Sequence, residues 1–142
     1  MKKLLSILAV TALALTVSNQ ANATCHVELQ VKNKTPYTMY LSKVSWGVEK
    51  GDWLTKSRTH GKNISHELAK NQTYTYKTSI GVKKCDSKGR KHFVEVTYKC
   101  RTNSTAAPSY TAKRKFKDGG KHADATVEFK GQFCDDISWS NS

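Results

Sequence analysis

Residues 25–32 read Cys25-His26-Val27-Glu28-Leu29-Gln30-Val31-Lys32, apolar and polar in strict alternation. A period of two puts the cysteine, valines and leucine on one side of an extended chain and the polar residues on the other. That is the signature of a half-buried β-strand. The same pattern returns downstream in Tyr74, Tyr76, Thr78, Ile80 and Val82, then in Val94, Val96, Tyr98 and Cys100. It continues in Tyr110, Ala112 and Phe116, and in Ala123, Ala125, Val127 and Phe129. Residues 37–46 supply another strand; Ile64, His66 and Leu68 form a short one that would also accept a helical turn. Thr, Val and Tyr dominate these runs, as a pleated, half-buried surface prefers. Asp86-Ser87-Lys88-Gly89 and Asp118-Gly119-Gly120 are turn signals between the later strands. No stretch sustains a helical period. The pattern predicts an all-β fold, an antiparallel β-sandwich of about seven strands, with a small closed barrel as the alternative.

The chain has 142 residues, of which 1–23 read as a secretory signal peptide. Lys2 and Lys3 form its positive start, Leu4 to Val17 its apolar run, and Ala21-Asn22-Ala23 the small residues that signal peptidase accepts. The apolar run is short for a membrane span of ~20 residues. Residues 24–142 then form a single β-sandwich domain, secreted or periplasmic. Cys25, Cys85, Cys100 and Cys134 all remain in it. An even count in a small exported chain predicts two disulfides.

If each strand runs antiparallel to the one before it, the connections sort onto two ends. The start of the first strand joins the second–third, fourth–fifth and sixth–seventh connections at one pole, and the C-terminus falls at the other. Of the three possible pairings this parity favours Cys25–Cys85 and Cys100–Cys134.

The formal net charge is +13, or +11 once Lys2 and Lys3 leave with the signal. It is concentrated. Residues 83–91 carry Lys83, Lys84, Lys88, Arg90 and Lys91 against Asp86; residues 113–121 carry Lys113, Arg114, Lys115, Lys117 and Lys121 against Asp118. Both windows centre on connections assigned to the same pole. The hydrophilic, glycine-punctuated connection 47–62 belongs there too, with Trp46 at its start and Trp53 inside it. Trp46 has a second reading, as a core residue closing its strand. Clustered cations focus positive potential, and tryptophan prefers the headgroup level of a bilayer. The expected function is therefore binding without catalysis, to an anionic membrane surface or an acidic polysaccharide, through a basic, Trp-bearing pole. Nucleic acid ranks behind these. Another exported protein, anchored on Trp46 or Trp53, is one alternative.

A small secreted ribonuclease is the other, with His60, His92 and His122 as acid–base candidates. No C-x-x-C pair, H-E-x-x-H or G-x-S-x-G pattern is present, so the sequence calls for no metal and no cofactor. Val31-Lys32-Asn33-Lys34-Thr35-Pro36-Tyr37, followed by Trp46-Gly47, resembles the opening of aegerolysin and actinoporin-type membrane-binding sandwiches. The resemblance spans a small part of the chain and implies a membrane-binding sandwich, but carries over no functional residue.

Overall fold

Eight strands are divided equally between two sheets. They run β1 Thr24–Asn33, β2 Met39–Val48, β3 Arg58–Leu68, β4 Thr73–Gly81, β5 Arg90–Cys100, β6 Tyr110–Asp118, β7 His122–Lys130 and β8 Asp136–Asn141. The computed structural model describes residues 24–49, 58–81, 90–118, 122–132 and 134–141. One sheet has the order β4-β1-β7-β8 and the other β3-β2-β5-β6, packed as a sandwich. Consecutive strands do run in opposite directions. β1 and β7, both odd in the chain order, therefore lie parallel, and every other pairing is antiparallel.

The alternation that predicts the strands also selects the core. Val27, Leu29 and Val31 of β1 and Ala123, Ala125, Val127 and Phe129 of β7 face Met39, Leu41, Val44 and Trp46 of β2 and Val94, Val96 and Tyr98 of β5. In β2 the inward positions are odd before residue 42 and even after it, because a bulge between Leu41 and Lys43 gives β2 one residue more than β5 over that stretch. An added residue reverses the side on which every later side chain falls. Without it, Val44 and Trp46 would point to solvent.

Three expectations change. There is an eighth strand: Asp136–Asn141, polar enough to read as a tail, pairs with β7 and sets Trp139 opposite Val127. Ile137 and Trp139 pack on the core while Asp136, Ser138 and Ser140, alternating with them, stay exposed, as an edge strand covering one side allows. The chain consequently ends at the pole where β1 begins, not at the other. The connection 47–62 is also shorter than its composition suggests. Gly47 and Val48 complete β2, and residues 58–62 open β3. Those residues are hydrophilic because β3 is an edge strand, paired on one side only.

At the end away from the basic windows, Asn33 joins the sheets. Its Nδ2 donates to the carbonyls of Tyr37 (2.7 Å) and Leu68 (2.8 Å), and its Oδ1 accepts from the Thr35 amide (3.0 Å) and hydroxyl (2.7 Å). Asn33 and Thr35 are both fully buried. Nearby, the Cys100–Cys134 disulfide links β5 to the β7–β8 turn over a separation of 34 residues. Restricting a loop of that length in the unfolded chain stabilises the fold by about 2–4 kcal/mol. Cys25 is buried and likewise disulfide-bonded, while Cys85 lies outside the described residues. The Tyr98 hydroxyl donates to the Cys134 carbonyl at 3.0 Å, and its ring packs on Phe129.

Two measurements test this account. Asn33→Ala removes the side-chain donor to the Leu68 and Tyr37 carbonyls and the acceptor of the buried Thr35 amide, and is expected to lower unfolding stability by roughly 2–4 kcal/mol in urea titration. Burial, then the neighbouring Asp135 charge and Tyr110, push the Tyr98 phenol above the ordinary tyrosine value of 10.0. The folded chain thus keeps this proton where the unfolded chain has lost it. Its contribution is complete below the unfolded value and declines as pH rises through the folded one. Melting temperatures followed from about pH 9 to 11 should fall for the native chain and fall less steeply for Tyr98→Phe.

Candidate functional site

The register of β5 decides what the second sheet presents to solvent. From His92 to Tyr98 the even-numbered residues are buried and the odd-numbered ones are partly exposed. Phe93 is therefore outward, an aromatic among positions otherwise given to polar residues. Its ring lies against Gly47 of β2, its cross-strand partner, where a Cβ would collide with the phenyl carbons. Glycine at that position gives the ring its seat.

Lysines surround the ring. On the β6 side Phe93 pairs with Lys115, Lys91 pairs with Lys117, and Glu95 pairs with Lys113. Lys91, Lys113, Lys115 and Lys117 are all exposed. Lys113 is ion-paired on this face with Glu95 at 3.4 Å, and Glu49, whose amide donates to the Lys91 carbonyl, follows β2 beside Lys91. Like charges set directly opposite one another across strands destabilise a sheet, yet Lys91 faces Lys117. Lysines along an edge strand such as β6 can be explained as a guard against pairing with another sheet. Lys91 cannot, since β5 is central.

Arg90 opens β5 opposite Asp118 at the end of β6, so the described parts of the two basic windows, 90–91 and 113–118, lie side by side on adjacent strands. His122 resumes the chain in the first sheet a few residues on, at that same end. Lys83, Lys84, Lys88, Lys121 and Trp53 lie outside the described residues.

Trp46 does not belong to the surface. It is fully buried, and its Nε1 donates to His92 Nδ1 at 3.0 Å. Phe116 completes the cluster, edge-on to the indole at 5.5 Å and stacked on the imidazole at 5.5 Å. The bulge in β2 is the reason: it turns Trp46 inward beneath the lysine-bearing strands. A buried histidine that accepts from an indole must carry its own proton on Nε2, so His92 is a packing residue there. His60 sits exposed on edge strand β3, and His122 on the opposite sheet. The three histidines considered for acid–base chemistry do not share a surface.

Sequence reasoning missed Phe93 and the role of Gly47. The signal was present in the parity, since Phe93 is the odd-numbered aromatic in a strand whose buried residues are even. Comparison with known protein families, with curated proteins and with solved structures finds no match. The likeness at residues 31–37 and 46–47 to membrane-binding sandwiches gains no support from them.

Gly47→Ala should displace the Phe93 ring and lower stability by about 1–3 kcal/mol in denaturant unfolding. Adding Phe93→Ala should return most of that loss, and the double-mutant cycle measures how strongly the two positions are coupled.

Proposed function

We propose that this chain is an exported, non-catalytic binding protein that engages an anionic envelope polymer or membrane surface through the lysines around Phe93. The observation that carries the reading is the direct pairing of Lys91 with Lys117 beside Lys115, three exposed cations on adjacent strands where the described parts of both basic windows lie side by side. Such a cluster lowers the energy of an approaching polyanion before contact and raises the encounter rate. Once the polymer is docked, the half-exposed Phe93 ring offers an apolar floor between the charges. The Cys100–Cys134 disulfide fits an oxidising compartment outside the cytoplasm, as export of residues 24–142 requires.

An acidic polysaccharide suits this surface better than the interior of a bilayer. Trp46 is committed to the core, and Phe93 lies against Gly47 instead of projecting. The large exposed hydrophobic among the described residues is Tyr110, at the far end of β6. Charge adsorption therefore carries the interaction, and adsorption of this kind is screened over about 10 Å at 0.1 M salt.

Retention on heparin and co-sedimentation with anionic phospholipid vesicles, each titrated with sodium chloride, test the reading. Binding is expected to weaken steeply with salt, to be stronger for heparin, and to drop at least tenfold in the variant Lys91→Glu, Lys115→Glu, Lys117→Glu. Binding that ignores salt and that variant would reject the proposal. Salt-indifferent capture of a protein, lost in Trp53→Ala, would favour the protein-partner reading.

A further inference from the structure

The outer face of the other sheet brings together two histidines from nearly opposite ends of the domain's sequence. His26 of β1 and His122 of β7 are direct partners in the parallel register. Their rings lie 5.2 Å apart between centroids, 19° from parallel, and both side chains are exposed. They line a groove of about 410 Å³ together with Ser79, Asp124, Glu28 and Lys77.

The neighbours sort its chemistry. Ser79 Oγ stands 3.0 Å from His26 Nδ1. When the hydroxyl accepts from Nδ1–H, the tautomer is set and the Nε2 lone pair is left directed outward, as in histidines that bind metals. Glu28 is already engaged by the Gln30 amide at 3.0 Å and Lys77 Nζ at 2.9 Å. Its carboxylate lies beside the imidazoles in the groove. Asp124, the next outward residue on β7 after His122, is exposed and adds a second carboxylate to the groove. In a molecule this basic, two acids against one lysine make a local exception that accepts a cation.

We propose that His26 and His122 form a surface site for a divalent transition-metal ion of imidazole preference, copper(II) above all. Two imidazoles bound at 2.0–2.1 Å per nitrogen hold their ring centroids roughly 4.5–5.2 Å apart for bond angles near 90–110°. The observed spacing lies within that range, and the exposed rings need only turn about their side-chain bonds to converge. Among the described residues no group of three His, Cys, Asp or Glu is placed to hold an ion, so water completes the coordination. Such a site is open and exchangeable, unlike a closed structural zinc centre. The ordinary order of divalent affinities then puts copper(II) first. Ser79 acts as a positioning residue. This site shares no residue with the lysine face and stands or falls independently of it.

Calorimetric titration of copper(II) into the chain as exported, with electron paramagnetic resonance of the bound ion, tests the assignment. One ion with imidazole nitrogen hyperfine structure is expected, held more tightly than nickel(II) or zinc(II). His26→Gln and His122→Gln should each weaken binding at least tenfold, and Ser79→Ala by roughly tenfold, with the metal-free melting temperature of all three unchanged. Undiminished affinity in the double variant His26→Gln, His122→Gln overturns the proposal. If export exposes the Thr24 amine, that amine and His26 form a competing ligand set, so a variant with one alanine inserted ahead of Thr24 is the control. Unchanged affinity in the control supports the paired imidazoles. Copper lost on that insertion but indifferent to His122→Gln places the ion on the amino terminus and overturns the proposal.

Discussion

The side chain of Asn33 uses both donors and both acceptor sites of its amide at the point where the chain leaves one sheet for the other. Its partners are the backbone on either side of the β1–β2 crossover and the end of β3. A buried amide with all its bonds made is stable in a low-dielectric interior, and one with any bond unmade is costly. That asymmetry fixes the crossover in a single geometry. From there the short connections alternate between the ends of the sandwich, and the direction of every strand follows.

Given those directions, each sheet has one face for the core and one for solvent, and the two solvent faces differ chemically. On β3-β2-β5-β6 the outward positions near the first pole hold lysines around an aromatic ring seated on a glycine. On β4-β1-β7-β8 they hold imidazoles, a serine and carboxylates. One face is suited to broad, screened attraction of a polyanion. The other is suited to directional donation to a single ion. Both arise from the same period-two rule, and neither requires a loop to carry the chemistry.

Much of this was legible from the residues. Strict alternation at 25–32, 94–100 and 123–129 specified β1, β5 and β7, and the opposite directions of consecutive strands were read from the same pattern. Other features were hidden for identifiable reasons. Residues 58–62 and 136–141 belong to edge strands, where one unpaired side and a solvent-exposed face permit a composition that reads as a loop or tail. The burial of Trp46 depended on a one-residue bulge in β2 against β5, which leaves no distinct mark in the sequence but reverses the facing of the β2 residues after it. His26 and His122 had no spacing to connect them, since a parallel pairing between the first and seventh strands is created only when the sheets assemble.

The sequence by itself determined a β-sandwich and, in the strands of strict alternation, the residues that face its core, because alternation is local and survives in the unfolded chain. Tertiary structure alone decided which lysine stands opposite which, why Trp46 is inside, and that two distant histidines share a rim. Those outcomes depend on register and sheet order, which are set by the joint burial of both inner faces and are written in no short segment of the chain.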